Sequence, residues 1–403
     1  MSQFIINSIR YVVTQVLYFF SGFFPRQHKA VMGCYKNKFA DNSKYLYLHW
    51  QQKQVIRAIW ISGSRITVNE LSLQGYEAYH RWSLNGIYHA LTAKYYIYNS
   101  YIGDINQYLA KGAIKINLWH GSPLKRIEFD INNGPLFKVY HPQNLAEKLT
   151  SASLFHQQNI APDNMVAPSE LVSKLFASAF KINEAKMLHC GNPRTDYFKK
   201  YPQADSLIDE LKQLNNVETV ILYAPSWRDS TALANNTSNP YLKAFDFKAL
   251  SSQLVNNEQL LLLRLHPNEA YLADGFSDYD NIINISDWQD TYEIIDDVDL
   301  LITDYSSLYI DMLQTKAGII FYQFDQLEYQ TDSRQCYDYA ENIPPAGVVI
   351  TDFIELMSYL DTFKFSSDDP VDKKNRAELT QLYWQYQQTN AFERLDEFVN
   401  AHH

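Results

Sequence analysis

Leu300-Leu301-Ile302-Thr303-Asp304-Tyr305-Ser306-Ser307 is an unbroken apolar run that ends in hydroxyl and carboxylate side chains. Consecutive apolar residues fit a strand covered on both faces, as in a parallel sheet flanked by helices. The polar residues then fall where such a strand hands over to a helix, predicted here over Ser307 to Gln314. Outward from this stretch the same alternation repeats. ETVILYAP, LLLLRLHP, NIINIS, AGIIFY and GVVI read as further strands, with helices near Phe247–Val255, Trp288–Asp296 and Phe353–Leu360. The first half carries VIRAIWIS, KYYIYNS, IKINLWH and NMVAP as strands, with helices over Asn144–Phe155 and Glu170–Phe180. Alternation of this kind predicts α/β architecture: two Rossmann-like lobes with parallel sheets and a cleft between them. The polar segment Asp196–Thr219 is the expected connection. The divisions read as 1–24 for a terminal helix, 25–205 and 206–365 for the lobes, and 366–403 for helices folding back over them.

At 403 residues the chain exceeds the size at which one core stops growing, in keeping with two lobes. Its formal net charge of −10 argues against nonspecific nucleic-acid binding, which needs a basic surface. A phosphorylated ligand must therefore meet a local positive site. Three widely spaced cysteines, Cys34, Cys190 and Cys336, give neither a disulfide framework nor a zinc pattern, and fit a reducing cytoplasm. Residues 4–24 are strongly apolar, yet Gln3, Asn7, Arg10 and Thr14 recur every three or four positions, so a helix there carries one polar stripe. The wider face holds Ile5, Ile6, Ile9, Val12, Val13, Val16, Leu17 and Phe20. That is the pattern of a helix lying in a membrane interface, with Arg26, His28 and Lys29 placed for anionic head groups. A terminal helix packed on the protein's own core is the plainer alternative.

Candidate chemistry collects at predicted strand ends, where open α/β sheets place ligands. In Trp119-His120-Gly121-Ser122-Pro123-Leu124-Lys125 a histidine sits on a rigid turn and can accept a proton at neutral pH, although a lone histidine is more often structural. Arg264 and His266 alternate along one strand face and form either a phosphate clamp or a buried acid-paired cluster. Asp304 or Ser306 can cap the following helix; the same free amides and the hydroxyls of Ser306 and Ser307 also suit phosphate. Asp311, about one turn further on, is placed for ribose hydroxyls. Arg228, after YAPSW, offers a guanidinium to phosphate, and Arg194 lies in GNPRTD at the end of the first lobe. No dinucleotide fingerprint, P-loop or metal-ligand cluster is present in the pattern.

In their order, WHGSPLK, GNPRTDYF, ILYAPSWRD, LRLHP, LLITDYSSLYIDM and IIFYQFDQLEY, with DNSKYL at Asp41 as a weaker match, resemble the CDP-glycerol glycerophosphotransferase family of teichoic-acid primases, polymerases and capsule enzymes. The resemblance covers roughly residues 35–360. Ser122 stands where threonine is more usual, and Pro345-Ala346-Gly347 replaces a Pro-Gly pair. The resemblance implies a GT-B-like fold, with the acceptor on the first lobe and the CDP-linked donor on the second. It implies His120 as general base, supported by Gly121, Ser122, Lys125 and Arg194 on the acceptor side. His266 is the second catalytic histidine, with Arg228, Arg264, Asp304, Ser306, Ser307 and Asp311 binding or supporting the donor. The expected partners are CDP-glycerol or CDP-ribitol, a lipid-linked or oligomeric glycan or polyol-phosphate acceptor, and the cytoplasmic membrane surface, without nucleic acid. No cofactor or resident metal is expected, magnesium arriving only with the nucleotide. The competing readings are a GT-B glycosyltransferase using a nucleotide sugar and a noncatalytic partner in envelope-polymer assembly.

Overall fold

The computed structural model describes residues 3–134, 136–202, 206–228, 239–266, 269–273, 276, 278–332, 335–340, 343–363 and 370–402. The chain forms two compact units, residues 1–201 with 383–403, and residues 202–382. In the first, strands β1 (Gln27–Met32), β2 (Ala58–Ser62), β3 (Ala78–His80), β4 (Ala93–Tyr98), β5 (Ile114–Asn117), β6 (Asn164–Ala167) and β7 (Met187–His189) form a parallel sheet ordered 3-2-1-4-5-6-7. In the second, β8 (Thr219–Tyr223), β9 (Gln259–Leu263), β10 (Ile282–Asn284), β11 (Leu300–Thr303), β12 (Gly318–Tyr322) and β13 (Val348–Ile350) form a parallel sheet ordered 10-9-8-11-12-13. The order reverses between β1 and β4 in one sheet and between β8 and β11 in the other. Those reversals open a crevice beyond the strand C-termini, because the helices on either side cross to opposite faces.

The apolar strands behave as their composition requires. β2, β9 and β11 are buried along their whole length. β1 departs from the sequence reading, which took its Arg26-to-Lys29 approach as a basic run at a membrane. Arg26 instead turns inward and donates to the carbonyls of Ala90, Ala93, Leu109 and Lys111, while Lys29 is buried with its Nζ 3.1 Å from His89 Nδ1. A guanidinium can satisfy several carbonyls at once, which is what lets a polar segment start a central strand. The segment 288–296 also differs: only Thr291–Glu293 makes a helical turn, capped by Asp290. Gly347 at the entry to β13 stands where a Cβ would lie 2.1 Å from Ile319 O, so the altered Pro-Ala-Gly loop keeps the glycine its backbone approach requires.

The last segments do not act as one layer. The helix Pro370–Tyr383 belongs almost wholly to the second unit, with Arg376 donating to the carbonyls of Met312, Leu313, Thr315 and Ala317. The helix Ala391–Ala401 returns to the first unit and buries Ala391, Phe392, Leu395 and Val399, one face at helical spacing. Its Asp396 accepts from His49 Nε2 at 2.9 Å and from Trp50 Nε1 at 2.7 Å.

The amphipathic segment is a helix over Gln3–Ser21; Asn7 and Thr14 of its polar stripe point into the protein, while Arg10 stays exposed. Asn7 and Thr14 are 3% and 2% exposed, and Asn7 Nδ2 donates to Thr150 Oγ1 on the helix Leu145–Leu154. Ile9, Val12, Val13 and Phe20 are each more than half exposed. A helix packed on its own core would do the reverse, so this one leaves its apolar face uncovered.

Candidate active site

In the first unit the site is built around the loop after β5. Trp119 sits at φ 51° and Gly121 at φ 147°, a strained turn that lifts His120 into an exposed position beyond the strand. Only glycine takes the second of these angles readily, which accounts for Gly121. His120 Nδ1 lies 2.9 Å from the carbonyl oxygen of Asn99. A carbonyl only accepts, so Nδ1 carries the proton and Nε2 is left as the basic nitrogen. The residue reaches solvent, but Trp119 packs on its ring at 4.2 Å between centroids and the Asn99 carbonyl covers Nδ1. This crowding lowers the imidazole pKa below its ordinary value; the Asn99 carbonyl and Asp41 favour the imidazolium, and Arg194 opposes it.

Asn99 is itself fixed. Its Oδ1 accepts from the amide and hydroxyl of Ser43, and its Nδ2 donates to Cys34 Sγ. The start of the helix Asp41–Lys53 is thereby tied to the histidine. Asn42 Nδ2 donates to the carbonyls of Leu118 and Trp119, while its Oδ1 accepts from the Arg194 amide. Arg194, 1% exposed, pairs with Asp41 at 2.8 Å. Arg194 is therefore a brace for the loop and the helix start. Ser122 is buried beside the turn and Lys125 is half-buried.

In the second unit the residues converge on the reversal between β8 and β11. Asp304 Oδ1 accepts from the Ser226 amide at 2.7 Å, stitching the two strand ends together. Arg228 is buried and donates to Asp304 Oδ2, to the Ser226 carbonyl, and in a two-pronged fork to Asp325 at 3.0 and 3.1 Å. Burial alone would depress its pKa; Asp304, Tyr241 and Asp325 overcome that and hold it above the ordinary value. The rings of Phe324 and Tyr329 flank the guanidinium at 5.3 Å each. Arg228 and Asp304 thus form a structural ion cluster beneath the loop, which bears on a donor through the backbone it shapes.

Arg264 Nη1 donates to the carbonyls of Ile285 and Trp288 and anchors the loop after β10. Asp311 is buried and accepts from the Tyr292 hydroxyl. Asp311 is thereby closed to a ligand, whereas Arg264 is half-buried and makes these bonds through Nη1 alone. His266 is half-buried with its ring stacked on Trp227 at 5.6 Å and 16°. Ser306 Oγ accepts from the Leu308 amide at 3.2 Å, and Ser307 precedes the short helix Leu308–Met312 without a capping bond of its own. Ser306, Ser307 and His266, with the half-buried Arg264, are the accessible polar groups of the predicted donor set. Among the described residues no three His, Cys, Asp or Glu side chains converge on a metal-sized point.

Sequence reasoning missed Asn99 and Asp325. Asn99 and Asp325 each follow a strand, so the strand-end rule that singled out His120 applied to them too. What it lacked was any sign of which backbone carbonyl or guanidinium they would meet.

The family model of CDP-Glycerol:Poly(glycerophosphate) glycerophosphotransferase matches residues 17–401. The chain is 26% identical to a teichoic acid glycerol-phosphate transferase of Staphylococcus aureus over 84% of both chains. It is 25% identical to a teichoic acid ribitol-phosphate primase of Bacillus spizizenii over 100% of this chain and 98% of the relative. A solved structure of the wall teichoic acid polymerase TagF superposes with a TM-score of 0.77 at 21% identity, covering 99% of this chain and 97% of that one, and supports a GT-B-like fold. With its parallel sheets, strand-end histidines and near-complete match, the chain belongs to the CDP-glycerol:poly(glycerophosphate) glycerophosphotransferase family.

Proposed function

We propose that this transferase moves glycerol phosphate, or a related polyol phosphate, from a CDP-linked donor to a hydroxyl of a lipid-linked or polymeric cell-envelope acceptor. The observation that carries the reading is the His120 tautomer: Nδ1 donates to Asn99 O, so Nε2 is left to take a proton. The acceptor oxygen attacks the phosphorus that bears the polyol. As the new P–O bond forms, the bond to the CMP oxygen breaks, and the acceptor's proton passes to Nε2. Charge on the transferring group meets fixed donors, for which the Ser306 and Ser307 hydroxyls and His266 are the candidates. Arg228, Asp304, Arg264 and Asp311 keep those loops in place, and Gly121, Ser122, Lys125 and Arg194 do the same for His120. The chemistry needs no resident metal, and magnesium enters with the nucleotide. Incubating the chain with CDP-glycerol or CDP-ribitol and a lipid-linked glycan acceptor should release CMP and add one polyol-phosphate mass per turnover. Turnover with a nucleotide sugar and none with either CDP-polyol would establish the glycosyltransferase reading instead.

The reaction is placed at the cytoplasmic face of the membrane, with the helix Gln3–Ser21 as the peripheral anchor. Its inward Asn7 and Thr14 and uncovered Ile9, Val13 and Phe20 support this, since a lipid interface is the ordinary cover for such a face. Head-group contact falls to Arg10, on the exposed part of the helix, since Arg26 and Lys29 are turned inward. Replacing Ile9, Val13 and Phe20 together by asparagine should leave the fold intact, because none of the three is buried. Binding to anionic vesicles in a flotation assay should fall on the order of 100-fold or more, from the apolar area withdrawn from lipid. Unchanged flotation would place the anchor elsewhere.

A further inference from the structure

Beside the His120 network the first unit holds a cavity of about 470 Å³, at the reversal between β1 and β4. It opens where Asn99 ends: Ser100 and Cys34 line it, and Asn99 bonds His120 with its carbonyl and Cys34 with its amide. No residue predicted from the sequence lies in it. Its walls carry buried polar atoms without hydrogen-bond partners among the described residues: Asn106 Nδ2, Gln107 Oε1, Gln158 Oε1 and Arg81 Nε. Asn106 is 2% exposed, so its amide is held in the wall and not in bulk solvent. Buried polar groups of this kind are ordinarily satisfied, and a cluster of them around one cavity points to a ligand that completes them.

The chemistry of the walls selects the ligand. Two donors and two acceptors, three of them from neutral amides, match a molecule whose groups both donate and accept, as hydroxyls do. Arg81 is not a free cation: its Nη atoms donate to Gly103 O, Asp104 O and Asn37 Oδ1. A polyol-phosphate chain would need cations at each phosphate; Lys36 is the one further cation in the lining, and the orphaned groups supply no partner for a second phosphate. Trp82 also lines the cavity, 54% exposed, with the Tyr108 ring 5.9 Å away at 35°. An exposed indole offers an electron-rich face to the C–H face of a pyranose. We infer that this cavity is a saccharide subsite, binding a neutral sugar residue of the acceptor next to the general base. This deepens the proposed reaction and rests on it only for the word acceptor, since the cavity binds the sugar whether or not a donor is turned over.

Binding is measured on the full chain without donor, by saturation-transfer NMR and calorimetry with methyl glucoside and methyl N-acetylglucosaminide. At least one of the two should bind, and Trp82→Ala and Asn106→Asp should each weaken it about tenfold or more. Trp82→Phe should retain most of the affinity. Asn106→Asp keeps the oxygen that accepts from the Tyr108 amide, so the turn is preserved while the orphaned donor is lost. Both variants should bind CMP as the parent does. The inference is overturned if neither glycoside binds, if binding is indifferent to both substitutions, or if a glycerol-phosphate oligomer or CMP displaces the glycoside. Failure of CDP-polyol turnover with intact glycoside binding would count against the proposed function and leave the subsite standing.

Discussion

His120→Ala is expected to lower turnover by about two to four orders of magnitude, the usual contribution of a positioned general base. On the proposed reading the donor binds the second unit, so affinity for a CDP-polyol should stay near its normal value, separating the loss of chemistry from loss of binding. His120→Gln should not recover the rate, because an amide cannot accept the proton as a base. The pH profile carries an independent check. The base must be neutral to act, and crowding lowers its pKa from the ordinary 6.5. Activity should therefore persist as pH falls through 6.5, with the acid limb of kcat/KM lying below that value, and the limb should vanish from the residual rate of His120→Ala. Near-parent turnover of the alanine variant at saturating substrates would remove the general-base role.

The second large effect is expected at Arg228, and it is a loss of fold before it is a loss of binding. Arg228, Asp304 and Asp325 have side-chain exposures of 5%, 1% and 9%. Arg228→Met fills similar volume but strands two carboxylates away from solvent. Removing one partner of a buried pair costs about 3–5 kcal/mol, because the remaining charge is uncompensated. The second unit should unfold at markedly lower denaturant, while the first keeps its transition. A triple change that also makes Asp304→Asn and Asp325→Asn should recover part of the stability, since no bare charge is left. If Arg228→Met instead melts like the parent and loses only CDP-polyol affinity, the guanidinium is a phosphate ligand and its internal pairing is incidental.

These expectations differ from a reading of the motifs alone, and the difference follows from what a sequence encodes locally. Apolar runs such as 259–263 and 300–302 bury on both faces wherever they sit, so strands, parallel sheets and the two-unit architecture were legible from composition and alternation. The strand-end position of His120, Ser306 and Ser307 was legible for the same reason, because the apolar run itself marks where the strand stops. β1 was not, since Gln27, His28 and Lys29 look like surface text until Arg26 and Lys29 find their carbonyls and His89. The helix Gln3–Ser21 was recognisable as amphipathic, but periodicity gives a stripe and no direction. Thr150, more than a hundred residues away, is what turns Asn7 inward, while Arg10 of the same stripe stays exposed. Charged residues follow the same rule. Sequence determined that Arg228, Arg264 and Asp311 stand at or just beyond strand ends, and tertiary structure decided that Arg228 and Asp311 are buried against protein partners and that Arg264 commits its Nη1, because partners brought together by folding compete with any ligand for the same few hydrogen bonds.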